Sequence, residues 1–182
     1  MLGRILLVIA LLSTVGTTTL AQGHPDFSGT WKLNLDKSDY GDLQGPETRI
    51  DVIEQHDGHV SERVTAEGRH RKQQYTLQFA TDGSETALPP ETKMGSVTIL
   101  SVSAKWQGET LVVTQKLRFQ GAPLLAMNAY LLSGDGKTLT IALALASGSI
   151  PAATFVFDRI LTVELDGAGQ MLEKLSPPLQ KP

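Results

Sequence analysis

A chain of 182 residues with 41% hydrophobic content is long enough for one folded domain and too apolar for a disordered one. It has no cysteine, so a disulfide framework, a thiol nucleophile and cysteine-ligated zinc or iron–sulfur sites are excluded together. A formal charge of −3 offers no basic field for nucleic acid or anionic lipid.

The chain opens with a short positive start, Met1–Arg4, then an unbroken apolar run, Ile5–Leu12, then small residues around Thr19-Leu20-Ala21. That order predicts a secretory signal over residues 1–21, cleaved after Ala21. The apolar run spans only about 12 Å of a hydrocarbon layer roughly 30 Å thick, too little for a membrane span. Gln22, not Cys, follows the cleavage point, so no acylated lipoprotein anchor is expected. The expected mature protein has no transmembrane segment and is exported to the periplasm or the cell exterior, with a barrel domain over 22–165 and a tail over 166–182.

From Gly29 onward, short runs of alternating or β-branched residues are separated by polar punctuation containing glycine. The punctuation falls at His56-Asp57-Gly58, Ala66-Glu67-Gly68, Thr81-Asp82-Gly83, Gln107-Gly108-Glu109 and Gly134-Asp135-Gly136-Lys137. There glycine supplies the positive φ of tight hairpin turns. Strands are predicted over Thr30–Leu35, Thr48–Gln55, Val60–Thr65, Arg71–Phe79, Val97–Trp106, Thr110–Phe119, Met127–Leu132, Thr138–Leu145 and Thr154–Asp158, with one more at Leu161–Leu165. Consecutive strands should pair antiparallel. Tyr75, Leu77 and Phe79 share a face, as do Leu111, Val113, Leu117 and Phe119 with Gln115, and Leu139, Ile141, Leu143 and Leu145. Between Ser96 and Trp106 the alternation changes phase near Ile99, which predicts a bulge. Outside the signal no helix-period stretch appears; only Gln170–Leu175, ahead of Pro177, suits a helical turn. The fold class is therefore all-β, an antiparallel up-and-down β-barrel of 8–10 strands.

Phe27-Ser28-Gly29-Thr30-Trp31-Lys32-Leu33 resembles the first-strand motif of the calycin superfamily, which includes lipocalins, avidin and fatty-acid-binding proteins, with Gly29-x-Trp31 as the shared core. The run on through Lys37-Ser38-Asp39-Tyr40-Gly41 and the hairpin Gly136–Thr140 are similar to those of exported bacterial proteins described as lipocalin-like. The resemblance implies a barrel whose closed end is plugged by Trp31, with an arginine of the last strand lying over the indole; Arg159 fits that position. Lys32 and Asn34 depart from the usual lipocalin pattern, and Asp36–Pro46 is too short for the helical lid of fatty-acid-binding proteins.

A barrel of this size holds either its own side chains or one small ligand. Arg71, Gln73, Tyr75, Leu77 and Phe79 on one strand face, with Val113, Gln115 and Leu117 on another, combine apolar walls with a few polar groups, the composition of a ligand pocket. Arg71 would meet an acidic head group, and the expected partner is a small hydrophobic or amphipathic molecule. The same residues also suit strand ends and an interstrand hydrogen bond at Gln115. His56, His59 and His70 fall around a hairpin tip, where solvated histidines are expected and no metal site. Glu54, Asp57, Glu62, Glu67 and Asp82 read as acids at turns or on polar strand faces, with ordinary acidity. Ser147-Gly148-Ser149 lacks the strand-to-helix setting of a nucleophile elbow. No catalytic residue and no cofactor is expected. Two other readings stand beside the carrier: a filled barrel acting as an interaction module, and a small isomerase or decarboxylase built on Tyr75, Tyr130 and Arg71.

Overall fold

The computed structural model describes residues 23–41, 43–68, 71–146, 153–160, 163–165 and 171–173. The predicted signal, residues 1–21, and Ser147-Gly148-Ser149 lie outside the described residues, as does most of the predicted tail. The strands are β1 (Gly29–Leu33), β2 (Thr48–His56), β3 (His59–Gly68), β4 (Arg71–Ala80), β5 (Asp82–Ala87), β6 (Lys93–Met94), β7 (Val97–Gln107), β8 (Thr110–Phe119), β9 (Ala122–Leu132), β10 (Thr138–Leu145), β11 (Ala153–Ile160), β12 (Val163–Leu165) and β13 (Met171–Glu173). One antiparallel sheet runs β4-β3-β2-β1-β11-β10-β9-β8-β7-β5, with β6 paired onto β7, and curls into a nearly closed barrel. β1 joins the two arms of the meander, with Trp31 opposite Asp51 of β2 and Arg159 of β11. The expected bulge in β7 appears as a register shift between Ile99 and Ser101.

Several details differ from the sequence reading. β4 and β5 follow each other in the chain but do not pair, and β5 lies on β7 instead. Thr81 bonds through its N–H (2.8 Å) and hydroxyl (3.1 Å) to the Gly58 carbonyl in the neighbouring turn, and Gly83, at φ 92°, turns the chain away. β5 escapes prediction because Asp82-Gly83-Ser84-Glu85 offers no apolar alternation. Ala66-Glu67-Gly68 is not a turn but the end of β3, continuing the ladder to Arg71 and Lys72. β9 begins at Ala122, well before Met127, because Gln120 (φ 49°) and Gly121 (φ 85°) form a two-residue turn that the following Pro123 disguises as a loop. Val163–Leu165 does not extend the wall: it pairs with Met171–Glu173, a strand where a helical turn was expected.

The barrel's two ends are built differently. At the base, Trp31 is fully buried and its indole N–H donates to the Phe27 carbonyl at 2.9 Å. Phe27 lies beneath it, 5.7 Å from the Trp106 ring and 6.1 Å from Tyr130. Gln55 clamps this entry segment, donating to the Pro25 carbonyl at 2.9 Å and accepting from the Phe27 N–H at 3.2 Å. Arg159 lies over the Trp31 ring, its guanidinium carbon 4.3 Å from the centroid, and donates to the carbonyls of Ser28 (2.8 Å) and Gly136 (2.7 Å). The glycine of Gly-x-Trp has a physical reason here. Gly29 sits at φ 142°, and a Cβ on it would lie 2.7 Å from Arg159 Nη1.

At the mouth, the β1–β2 connection folds back on β11, with Asp39 and Thr154 exchanging backbone hydrogen bonds of 2.8 and 2.6 Å. Tyr40 of this connection packs 5.4 Å from Phe155. Inward residues that are sealed near the base become half-buried toward the mouth. On β10, Leu139 and Ile141 are buried, whereas Leu143 and Leu145 are not fully covered; on β11 the same holds for Phe157 and Phe155, on β9 for Tyr130 and Leu124, and on β4 for Phe79 and Tyr75. β8 stays buried as far as Leu117.

Candidate functional site

A charged cluster lies inside the barrel, at mid-height. β2 points Arg49, Asp51 and Ile53 inward, and β3 points Val60, Glu62 and Val64 inward. Arg49 grips Asp51 with two parallel hydrogen bonds, Nε to Oδ1 and Nη2 to Oδ2, both 2.8 Å. Glu62 stands alongside, its Oε1 3.7 Å from Arg49 Nη2 and its Oε2 accepting from the Tyr130 hydroxyl at 2.8 Å. The side chains of Asp51 and Glu62 are at most 1% exposed, whereas that of Arg49 keeps 13% of its surface accessible. Arg49 is flanked by the rings of Phe155 and Phe157, at 5.5 and 5.3 Å from its guanidinium carbon.

Burial and the charge of Asp51 together push the Glu62 carboxyl up to about 8, overcoming the opposing pull of Arg49. Near neutral pH Glu62 therefore carries a proton. This accounts for Oε1, which as a bare carboxylate oxygen has no partner but as an O–H has a hydrogen to give to Asp51. Burial raises the Tyr130 and Tyr75 hydroxyls above their ordinary range, so both stay protonated, and Tyr130 is raised further by Glu62. For Arg49, burial is the largest influence and works against the charge, but Asp51, Tyr75 and Glu62 together outweigh it and hold the guanidinium charged. Arg49 with Asp51, beside a protonated Glu62, sums to zero charge.

Glu62 thus corrects the sequence reading: it is not an acid on a polar face but the most deeply buried acid after Asp51. The residues proposed as ligand contacts divide into groups. Leu77, Phe79, Val113 and Leu117 enter the buried core, Gln115 is buried among them, and Tyr75 packs against that core half-buried, with its hydroxyl directed to Met94 Sδ at 3.7 Å. Gln73 is half-buried toward the mouth. Arg71 opens β4 opposite Gly68, and its side chain lies outside the described part, as does His70. Asn128, missed in the sequence, joins Gln115 as a second buried inward amide. His56 and His59 are exposed at the hairpin tip, and no group of three or more potential metal ligands occurs among the described residues. Below the base, an open cleft of about 510 Å³ is bordered by His24, His59, Asp82 and Trp106, with the His24 ring stacked 4.3 Å from Trp106. No helix of the described residues is long and apolar enough to cross a membrane.

No protein-family model and no curated protein sequence matches the chain. Among solved structures it is similar to a secretory abundant heat soluble protein of Ramazzottius varieornatus from a dimer sample, with a TM-score of 0.51 and 12% identity over 72% of this chain and 93% of that one. Secretory abundant heat soluble protein 4 of the same organism gives a TM-score of 0.51 at 12% identity, over 77% of this chain and 99% of that one. The fatty-acid-binding protein of Manduca sexta gives 0.48 at 12% identity, over 73% and 99%. At such identities the likeness is one of fold alone: this is an all-β, nearly closed antiparallel barrel.

Proposed function

We propose that the protein is an exported carrier that reversibly binds one small, mostly apolar molecule in the mouth half of its barrel and carries out no chemistry on it. The observation that supports this reading is the change along single strands: Leu139 and Ile141 are sealed, while Leu143 and Leu145 on the same face of β10 remain half-buried. Half-covered apolar groups on a concave wall gain about 25 cal/mol for each further Å² removed from water, which an apolar ligand supplies. Gln73 and Tyr75 stand on that wall, and Arg71 begins the same strand. Glu62, the one strongly perturbed carboxyl facing the interior among the described residues, is spent on Tyr130, Asp51 and Arg49 and is about 1% exposed, which favours a carrier over an enzyme. Export rests on the signal-like order of residues 1–21.

Native mass spectrometry of the mature chain, after exposure to a lipid and metabolite extract, tests the proposal. One retained ligand per chain, lost when Leu143→Trp fills the mouth half, is the expected result. A bare protein whose melting temperature the extract leaves unchanged would instead assign the fold to a filled barrel that works through its outer surface.

A further inference from the structure

We infer that the head group received at the floor of the barrel's mouth half is an uncharged hydrogen-bond acceptor, such as an ester, amide or ketone carbonyl or an alcohol oxygen, and not a carboxylate. The inference rests on the ligand-binding reading above and names the ligand's polar end.

Arg49 is the point of contact. Its Nε and Nη2 are committed to Asp51, so Nη1 is the guanidinium nitrogen that Asp51 leaves unengaged, and the side chain retains 13% of its surface accessible while its cluster partners are sealed. Phe155 and Phe157 flank the guanidinium, and of the two Phe155 is half-buried toward the mouth, so an apolar chain lying on the Phe155 ring brings its polar end to Nη1.

Charge then selects the kind of acceptor. Asp51 already neutralises Arg49 through a bidentate pair, and Glu62 is a second carboxyl 3.7 Å from the same nitrogen. With Glu62 protonated the cluster sums to zero, and with Glu62 ionised it sums to −1; in neither state does it hold positive charge for an incoming anion. A carboxylate would leave a net negative charge buried beside two sealed acids, a placement that is strongly unfavourable unless compensated. Nor does Tyr130 offer compensation, because its hydroxyl already donates to Glu62. A neutral carbonyl or hydroxyl takes the Nη1 hydrogen bond without adding charge, and a site built this way discriminates by leaving the wrong head group badly paired.

A matched series tests this: a long-chain fatty acid, its methyl ester, its primary amide and the corresponding alcohol, titrated calorimetrically into the mature protein at neutral pH. The neutral members should bind at least about tenfold more tightly than the acid. Asp51→Asn combined with Glu62→Gln, which leaves the arginine's charge unmatched, should shift the preference toward the acid. Should that variant fail to fold, Arg49→Gln serves in its place and should weaken the neutral members while leaving the acid unchanged. An acid that binds as tightly as its ester overturns the head-group assignment, and loss of that binding in Arg71→Ala would move the head to the mouth while leaving the carrier reading intact. If no member of the series binds, the carrier reading fails as well.

Discussion

Leu139 and Leu143 occupy the same inward face of β10, yet Leu139 is fully buried and Leu143 is not. The difference follows from what closes each end. Below Leu139 the base is filled by Trp31, Phe27 and Phe157, with Arg159 strapped over the indole. Above Leu143 the wall is met by the β1–β2 connection and Tyr40, which cover part of β11. One half therefore supplies rigidity and the other leaves apolar surface unspent, with the Arg49 cluster between them. Stability and the proposed binding thus fall on different lengths of the same strands, and each can be perturbed separately.

The sharpest test of this division is the leucine pair itself. Leu139→Ala should lower unfolding free energy by about 2–5 kcal/mol through lost burial and a cavity, whereas Leu143→Ala should cost about 1 kcal/mol or less, both read from urea unfolding. Equal losses would mean the barrel is filled throughout.

The boundary cluster predicts a pH dependence. Glu62 ordinarily titrates at 4.5 and in the folded state at about 8. Below 4.5 it is protonated in both states and its contribution is fully present. Between 4.5 and 8 the unfolded chain loses the proton that the folded chain keeps, so stability falls by up to about 1.4 kcal/mol for each pH unit and then levels off. Glu62→Gln should flatten that slope in a denaturation series across this range; an unchanged slope would place the titration elsewhere. Tyr130→Phe, which removes the hydrogen bond at Glu62 Oε2, should cost about 1–3 kcal/mol by thermal unfolding. A smaller effect than that of Tyr130→Phe belongs to Arg159→Lys at the base, about 0.5–2 kcal/mol, since an ammonium replaces the guanidinium stacked on Trp31.

The sequence carries the strand grammar and the bulge at Ile99, because period-two alternation and glycine turns are local signals, whereas Arg159 over Trp31 was implied by the resemblance to the calycin first-strand motif. The interior charge was not legible in the same way. On β2 the apolar residues Ile50 and Val52 lie on the face opposite Arg49 and Asp51, so the alternation points to the wrong side: mutual pairing of the charges, a long-range property, decides which face turns in. Glu62 did leave a trace, standing between Val60 and Val64 on the apolar face of β3, where period two alone would have placed it inside. The separation of β4 from β5 was invisible for a related reason: a glycine turn marks where the chain reverses, and says nothing about whether the strands it joins then meet.

That separation has a consequence for life at high concentration. The seam leaves β4 with one backbone edge outside any ladder among the described residues, the kind of edge that recruits strands from neighbouring molecules. The outward residues of β4, Lys72, Gln74, Thr76 and Gln78, are all polar and exposed. A second chain docking there would gain hydrogen bonds but little apolar burial. The open edge of β4 is thereby a poor seed for fibres, and the barrel can keep a gap in its wall without the colloidal instability such a gap invites.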